Sequence, residues 1–314
     1  MAESLRHVVA DGEAGVRFDR VVAALAEVSR ARASDLVSGG MALLDGKPSS
    51  RSVRVAAGQV VNVASTLTGQ GLRPANVPFT VTYEDDVLLV VDKPAGVVVH
   101  PGAGHHHDTL VNGLVGRFPE LADLGERQNW GLVHRIDRGT SGLLIVARNR
   151  ATRDALQESL RRRLVTRRYL ALAAGRRFDN ATGTIEAPIG RDPHRPTRMA
   201  VVADGRSART NYERLAAWED VTLFRVMLDT GRTHQIRVHF AAIDAPLVGD
   251  TTYGAASSFG LASDRVWLHA AQLTFAHPSN GNEVHVDSRL PDELTDVLAG
   301  LGVPDVGEVP TLAS

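Results

Sequence analysis

The sequence contains no cysteine, which excludes a disulfide framework, a thiolate nucleophile and any cysteine-ligated zinc or iron–sulfur centre. No apolar run approaches the roughly 18 residues that a membrane-spanning helix needs; stretches such as Val87–Val91 are far shorter. Met1–Ala10 carries no apolar segment behind a basic flank, the mark of a secretory leader. The expectation is therefore a cytoplasmic protein without membrane contact. Aromatics make up only 5% of the chain, and of 35 basic residues two are lysines, Lys47 and Lys93. With 36 acidic residues the net charge is −1, which taken alone argues against a nucleic-acid partner, because such domains usually carry a basic excess.

The 314 residues present suffice for two domains at about 150 residues each, and 43% hydrophobic with 23% charged residues is ordinary for a globular protein. The charge is segregated. Between Arg148 and Arg177 ten arginines face two acidic residues, a local charge of +8, whereas Gly281–Ser314 sums to −6. An arginine run of this kind is either a solvated helix face or a surface that meets phosphates, and composition leaves both open.

Residues 1–75 read as a small separate unit. Phe18, Val21, Val22, Leu25 and Val28 recur at helical spacing from about Arg17, and Ser29 is placed to cap a second helix ending at Gly39-Gly40. Met41–Asp45 and Gln59–Ala64 read as strands, with Asp45-Gly46 as turn residues. Gly69–Pro78 reads as a linker. Beyond it, residues 76–302 alternate strand-like segments (Val87–Asp92, Val97–His100, Leu143–Arg148, Tyr169–Ala174, Val221–Leu228, Trp267–Phe275, Glu283–Asp287) with helical ones (Thr109–Phe118, Ala151–Leu164, Thr233–Ala242, Asp292–Leu301). The spacing is irregular and lacks repeated βαβ units, so the expected fold class is α+β with a mixed or antiparallel sheet. Val303–Ser314 is expected to be a frayed tail.

Four constellations could carry chemistry. His134-Arg135-Ile136-Asp137, followed by Arg138-Gly139-Thr140-Ser141-Gly142 and a strand, puts a carboxylate beside basic side chains on a glycine-bounded loop; it is either a functional site or a structural ion pair in a turn. A kinase-like reading of His-Arg-x-Asp fails, because neither the downstream asparagine nor a glycine-rich phosphate loop is present. Gly231-Arg232-Thr233-His234-Gln235-Ile236-Arg237-Val238-His239 lacks zinc-hydrolase spacing, but an arginine here could partner a buried carboxylate and keep it ionised. Tyr169, directly after Arg167-Arg168, is either a core strand residue or a flat face for a nucleobase. His105-His106-His107 lies between Gly104 and Asp108 in a glycine-rich loop, and no metal is assigned to it.

Together these segments resemble the large-subunit ribosomal RNA pseudouridine synthases of the RluA/RluD type, with a match close to the D type. The resemblance rests on Val91-Asp92-Lys93-Pro94-Ala95-Gly96, Val99–Gly104, His134–Asp137 with Gly142-Leu143, Arg168-Tyr169, Gly231–His239, Gly249-Asp250 with Tyr253-Gly254, His269-Ala270 and Phe275–Pro278, and covers roughly Phe79 to Pro291. Ile136 stands where the family motif has leucine, a volume-conserving change. Arg17–Arg20, Ser29–Arg32 and Leu44–Lys47 resemble an S4 RNA-binding domain, a shorter pattern.

The resemblance implies a pseudouridine synthase fold, an RNA partner, a monomer, and no metal or other cofactor, since exchanging an N1–C1′ for a C5–C1′ bond is redox-neutral. It implies Asp137 as the essential carboxylate, acting as nucleophile or as base, and Arg237 as its partner. Tyr169 would pack on the flipped uracil and assist in removing the C5 proton, while Arg135 fills the vacated stack. His134, Arg168, Arg232, His234 and Gln235 would contact substrate, and Arg17, Arg20, Arg30 and Arg32 would dock RNA. Two alternatives stand beside this reading: a synthase acting on transfer RNA, and a non-catalytic S4-type assembly factor.

Overall fold

The computed structural model describes residues 4–310, apart from 27, 29, 65–71, 103, 106, 176–179 and 255–258. Contacts divide the chain into two compact units, Met1–Ala75 with Leu114–Gly131, and Asn76–Gly113 with Leu132–Ser314. The first unit is discontinuous, because Leu114–Gly131 is grouped with residues 1–75.

The first unit contains β1 (Ser4–Val8), α1 (Phe18–Leu25), α2 (Arg30–Ser38), β2 (Ala42–Leu44) and β3 (Val60–Ala64), with a three-stranded sheet in the order β1-β3-β2. Phe18, Val21 and Val22 on one stripe of α1 bury against Leu36, Val37, Val61 and Val63. Asp45 and Gly46 both have positive φ, and Leu44 and Lys47 exchange backbone hydrogen bonds across them, so the expected turn closes a tight hairpin. β1 was not expected. Its Leu5 and His7 alternate too briefly to signal a strand, and its pairing with β3, fifty residues on, supplies what local sequence does not. The capping role expected of Ser29 lies outside the described residues, as do 69–71 of the linker; Leu72–Pro78 is irregular.

The second unit is built on one large sheet. Its strands are β4 (Thr80–Glu84), β5 (Leu88–Lys93), β6 (Ser141–Ala147), β7 (Thr166–Ala174), β8 (Thr182–Glu186), β11 (Arg209–Ala217), β12 (Val221–Leu228), β13 (Leu268–Ala276), β14 (Glu283–Asp287) and β15 (Val306–Gly307), after numbering the small hairpin β9 (Ile189–Arg191) and β10 (Met199–Val201) separately. The order is β15-β11-β12-β7-β13-β6-β5-β4, with β14 on β13 and β8 on β11. All pairings are antiparallel except β13 with β6. The helices are α3 (Leu110–Arg117), α4 (Arg150–Arg161), α5 (Gln235–Ala242) and α6 (Asp292–Leu301). The fold is α+β with a mixed, largely antiparallel sheet, as expected. Leu294 and Leu298 of α6 pack on Leu170, Leu172, Leu223 and Trp267; Leu156 of α4 packs on Leu88, Leu143, Ile145 and Phe275. Strand alternation then leaves Arg167 and Tyr169 of β7 on the face opposite Leu170 and Leu172.

Two expectations need correction. Val97–His100 forms no strand, because the carbonyls of Val98 and Val99 accept from the Leu110 and Val111 amides and so satisfy the first donors of α3. Val303–Ser314 is not a free tail over its described part: Asp305 and Glu308 donate to Ala217 and Leu215, and Val306–Gly307 pairs with Ala217 and Ala216 at the sheet edge. Residues 311–314 lie outside the described set.

Candidate active site

Asp137 sits in the loop between Leu132 and β6, and this loop is held from both sides. From one side the Gly96 amide and the Lys93 ammonium donate to the Arg138 carbonyl at 2.8 and 3.3 Å. Lys93 is fully buried, also donates to Pro94 and Val97 carbonyls, and is pushed down to about 7 by burial. From the other side the buried Arg265 donates to the Gly139 carbonyl at 2.7 Å and to Ser141 Oγ at 2.7 Å. The loop fits because of two glycines. A Cβ at Gly139 would lie 2.1 Å from the Asp264 carbonyl oxygen, and one at Gly142, with φ +115°, would lie 2.3 Å from that of Ala270.

The carboxylate meets the second motif across the sheet. Arg237, on α5, donates through Nη1 to Asp137 Oδ2 at 3.2 Å, while its Nε and Nη2 grip Asp250 at 2.7 and 2.9 Å. Burial works against the charged guanidinium, but the hydrogen bonds and charges of Asp250 and Asp137 outweigh it and raise the Arg237 pKa. Asp250 is buried and also accepts from the Thr252 and Tyr253 amides. His234 approaches Asp137 Oδ1 at 4.0 Å, and its Nδ1 lies 2.9 Å from the Tyr253 hydroxyl. Its φ of +57° is a strained left-handed conformation at the start of α5, of the kind that clusters at functional sites. Burial lowers its pKa.

Asp137, His234 and Arg237 line an open cleft of about 540 Å³ together with Arg135, Tyr169, Arg232 and Gln235. Tyr169 is buried, and burial raises its phenol above the usual range, so at neutral pH it is protonated. Arg135 is exposed on the rim. Arg232 donates to the Ser207 carbonyl at 3.0 Å. Gln235 is spent on structure: it accepts from Thr230 Oγ1 and the Arg232 amide and donates to Arg209 and Thr210.

His134 lines the cleft, but Nε2 accepts from the Ile145 amide, and burial together with Arg167 lowers its pKa to about 3. Arg168 does not reach the cleft. It shares the other face of β7 and donates to Gln272 Oε1, whereas Arg167, one residue earlier, lines the cleft.

In the first unit, Arg17 donates twice to the buried Asp19, at 3.0 and 2.9 Å, and Arg30 approaches the same carboxylate at 3.4 Å. Arg20 is exposed. The Arg32 side chain, His106 and Arg176-Arg177 lie outside the described residues. His105 binds Asp108 at 2.7 Å, and no cluster of metal-ligating side chains occurs among the described residues. No helix among them is long and apolar enough to cross a membrane.

Residues 87–242 match the RNA pseudouridylate synthase family. Over 312 residues the chain is 42% identical to ribosomal large subunit pseudouridine synthase D of Xanthomonas campestris, spanning 95% of this chain and 93% of that protein. This chain belongs to the RNA pseudouridylate synthase family. It is also 35% identical to ribosomal large subunit pseudouridine synthase D of Escherichia coli over 308 residues, covering 94% and 93% of the two chains. Among solved structures, human RNA pseudouridylate synthase domain containing 1 superposes with a TM-score of 0.52 at 28% identity, over 73% of this chain and 97% of that one. The chain is thus an isomerase, and its second unit has a pseudouridine synthase fold.

The site also contains three residues to which the sequence reading gave no role: Asp250, Lys93 and Arg265. Asp250 and Lys93 fell within the quoted family segments, but nothing local says that one holds Arg237 and the other the Asp137 loop. Arg265 lies outside any motif, and its partners in the Asp137 loop, Gly139 and Ser141, are 126 and 124 positions away.

Three histidines of the second unit, the buried His269 and the half-buried His100 and His134, give a pH prediction. Burial holds His100 at about 4, His134 at about 3 and His269 at about 4. The unfolded chain takes up these protons near pH 6.5 and the folded chain only well below it, so stability rises with pH across that window and is lost on acidification. By pH 5 each histidine withdraws on the order of 1–2 kcal/mol. The melting temperature should fall by roughly 10 °C between pH 7 and pH 5; an unchanged or higher value at pH 5 contradicts the assignment of these rings as neutral.

Proposed function

We propose that this protein converts uridines of large-subunit ribosomal RNA to pseudouridine, with Asp137 as the reacting carboxylate. The observation that carries the reading is the chain Asp250–Arg237–Asp137, which fixes the Asp137 carboxylate in a cleft where arginines outnumber the two carboxylates, Asp137 and Asp229. The reaction breaks N1–C1′, turns the uracil, forms C5–C1′, moves the C5 proton off carbon and returns one to N1. Asp137 serves as nucleophile toward sugar or uracil, or as base at the sugar. The base must leave its stack to reach it, at a cost of a few kcal/mol, and Arg135 on the rim is available to fill the gap. Tyr169 supplies a flat wall for the uracil, and as a protonated phenol it is no ready base for C5.

Arginines 161, 163, 206 and 232 around the cleft offer phosphate contacts whose strength depends on salt. The first unit docks RNA in the manner of an S4 domain, through Arg20 and the Arg17–Asp19–Arg30 cluster, which carries a net positive charge. The protein acts as a cytoplasmic monomer. The large-subunit substrate rests on the names of the relatives, and a transfer RNA substrate is the second reading.

The test is to incubate the protein with transcripts of large-subunit ribosomal RNA and of transfer RNA and map carbodiimide-dependent reverse-transcription stops. Stops in the ribosomal transcript are expected. Stops confined to transfer RNA replace the substrate, and RNA bound without any stop leaves a non-catalytic binding factor.

A further inference from the structure

Among the described residues lining the cleft, two guanidiniums are buried, those of Arg237 and Arg167, each 8% exposed. Their electrostatic situations differ. Arg237 is shared by two carboxylates. Arg167 has none: its Nη2 donates to the carbonyls of Leu228 at 3.2 Å and Thr230 at 3.4 Å, and its Nε, shielded from solvent, has no partner among the described residues. Removing a cation from water without a counter-charge is costly, and a fold that keeps one at the wall of its reaction cleft has a use for the charge.

The surroundings are arranged to keep it there. Gly231, which opens the Gly-Arg-Thr-His-Gln-Ile-Arg segment, would carry a Cβ 3.0 Å from Arg167 Nη1, so the glycine makes room for the guanidinium. Beside it His134 takes the Ile145 amide on Nε2, which puts its proton on Nδ1, and that atom too is buried without an acceptor among the described residues. The charge of Arg167 is felt by both neighbouring rings, disfavouring the protonated form of His134 and favouring the ionised form of Tyr169 against the effect of burial. Two donors within this wall, Arg167 Nε and His134 Nδ1, thus lack acceptors among the described residues, next to the tyrosine against which a uracil would lie.

We propose that Arg167 is a substrate-contacting residue, presenting its guanidinium to an anionic oxygen of the target nucleotide. The inference rests on the synthase reading given above. Two oxygens of that nucleotide have the required chemistry. One is a backbone phosphate oxygen. The other is a uracil carbonyl oxygen, which gathers negative charge as the N1–C1′ bond opens and its electron pair spreads into the ring.

The experiment compares wild type, Arg167→Met and Arg167→Lys in the full chain, measuring RNA affinity against salt and the single-turnover rate at saturating enzyme, with melting temperatures as the control for folding. If the partner is a phosphate, Arg167→Met weakens affinity about tenfold and lowers the salt slope by about one, leaving the saturated rate intact. If it is the carbonyl, the saturated rate falls by about 10²–10³-fold and the salt slope is unchanged. In either case Arg167→Lys, which keeps the charge but not the fork, recovers part of the loss. The proposal is overturned if Arg167→Met keeps both quantities within about twofold of wild type, or if both variants lose activity only in step with a fall in melting temperature. A wild-type protein that forms no pseudouridine instead overturns the parent reading, and the two failures are told apart by the wild-type lane.

Discussion

Replacing Asp137 by asparagine will stop pseudouridine formation while RNA affinity stays within about threefold of wild type. The amide has the shape of the carboxylate, and its oxygen can still accept from Arg237 Nη1, now 3.2 Å from Asp137 Oδ2. The other two donors of Arg237 remain on Asp250, and the loop keeps its backbone bonds to Lys93, Gly96 and Arg265. The cleft is thus preserved, and only the chemistry is lost: an amide neither attacks C1′ or the uracil ring nor takes a proton at neutral pH. Removing a reacting group of this kind costs on the order of 10⁴-fold in rate. The check is a single-turnover time course on a ribosomal transcript beside a binding isotherm. Product at more than a few per cent of the wild-type rate would move the reacting carboxylate elsewhere.

What could be seen in the sequence was what local residues decide. The apolar stripe of α1, the Asp45-Gly46 turn, the buried runs of β5 and β6 and the amphipathic α4 follow from neighbours within a few positions. β11 was invisible because Arg209–Ala217 alternates no clear apolar face; Tyr212, Glu213 and Arg214 are only half-buried, and the strand exists because β8 and β12 pair on its two sides. The same division runs through the site. Asp137, Tyr169 and Arg237 stand in motifs, but the choice of Arg167 over Arg168 as the cleft residue depends on strand phase, which a run of two arginines conceals. The net charge misled in the same way, since it averages a basic cleft with an acidic carboxyl-terminal segment.

Asp250→Ala will damage both stability and turnover, and the two effects have one cause. Arg237 is buried between two carboxylates, and truncating Asp250 leaves a desolvated guanidinium with the single 3.2 Å bond to Asp137, takes the side-chain acceptor from the Thr252 amide, and leaves the Tyr253 amide only the Asp250 backbone carbonyl. Breaking a buried pair from one side costs about 3–5 kcal/mol, a drop of roughly 10 °C in melting temperature for a domain of this size. Arg237 then has every reason to turn its whole fork onto Asp137, taking up the oxygens that must reach the nucleotide. The saturated single-turnover rate should therefore fall by at least about tenfold, with RNA affinity unchanged because Asp250 lies beneath Arg237 and is not among the residues lining the cleft. Asp250→Asn separates charge from shape: it keeps one acceptor oxygen for the guanidinium or the turn amides, and should fall between wild type and alanine in both measurements. A purely structural Asp250 would lower the melting temperature and leave the rate of the folded fraction untouched. That outcome would mean that Arg237 holds Asp137 in place without being held itself.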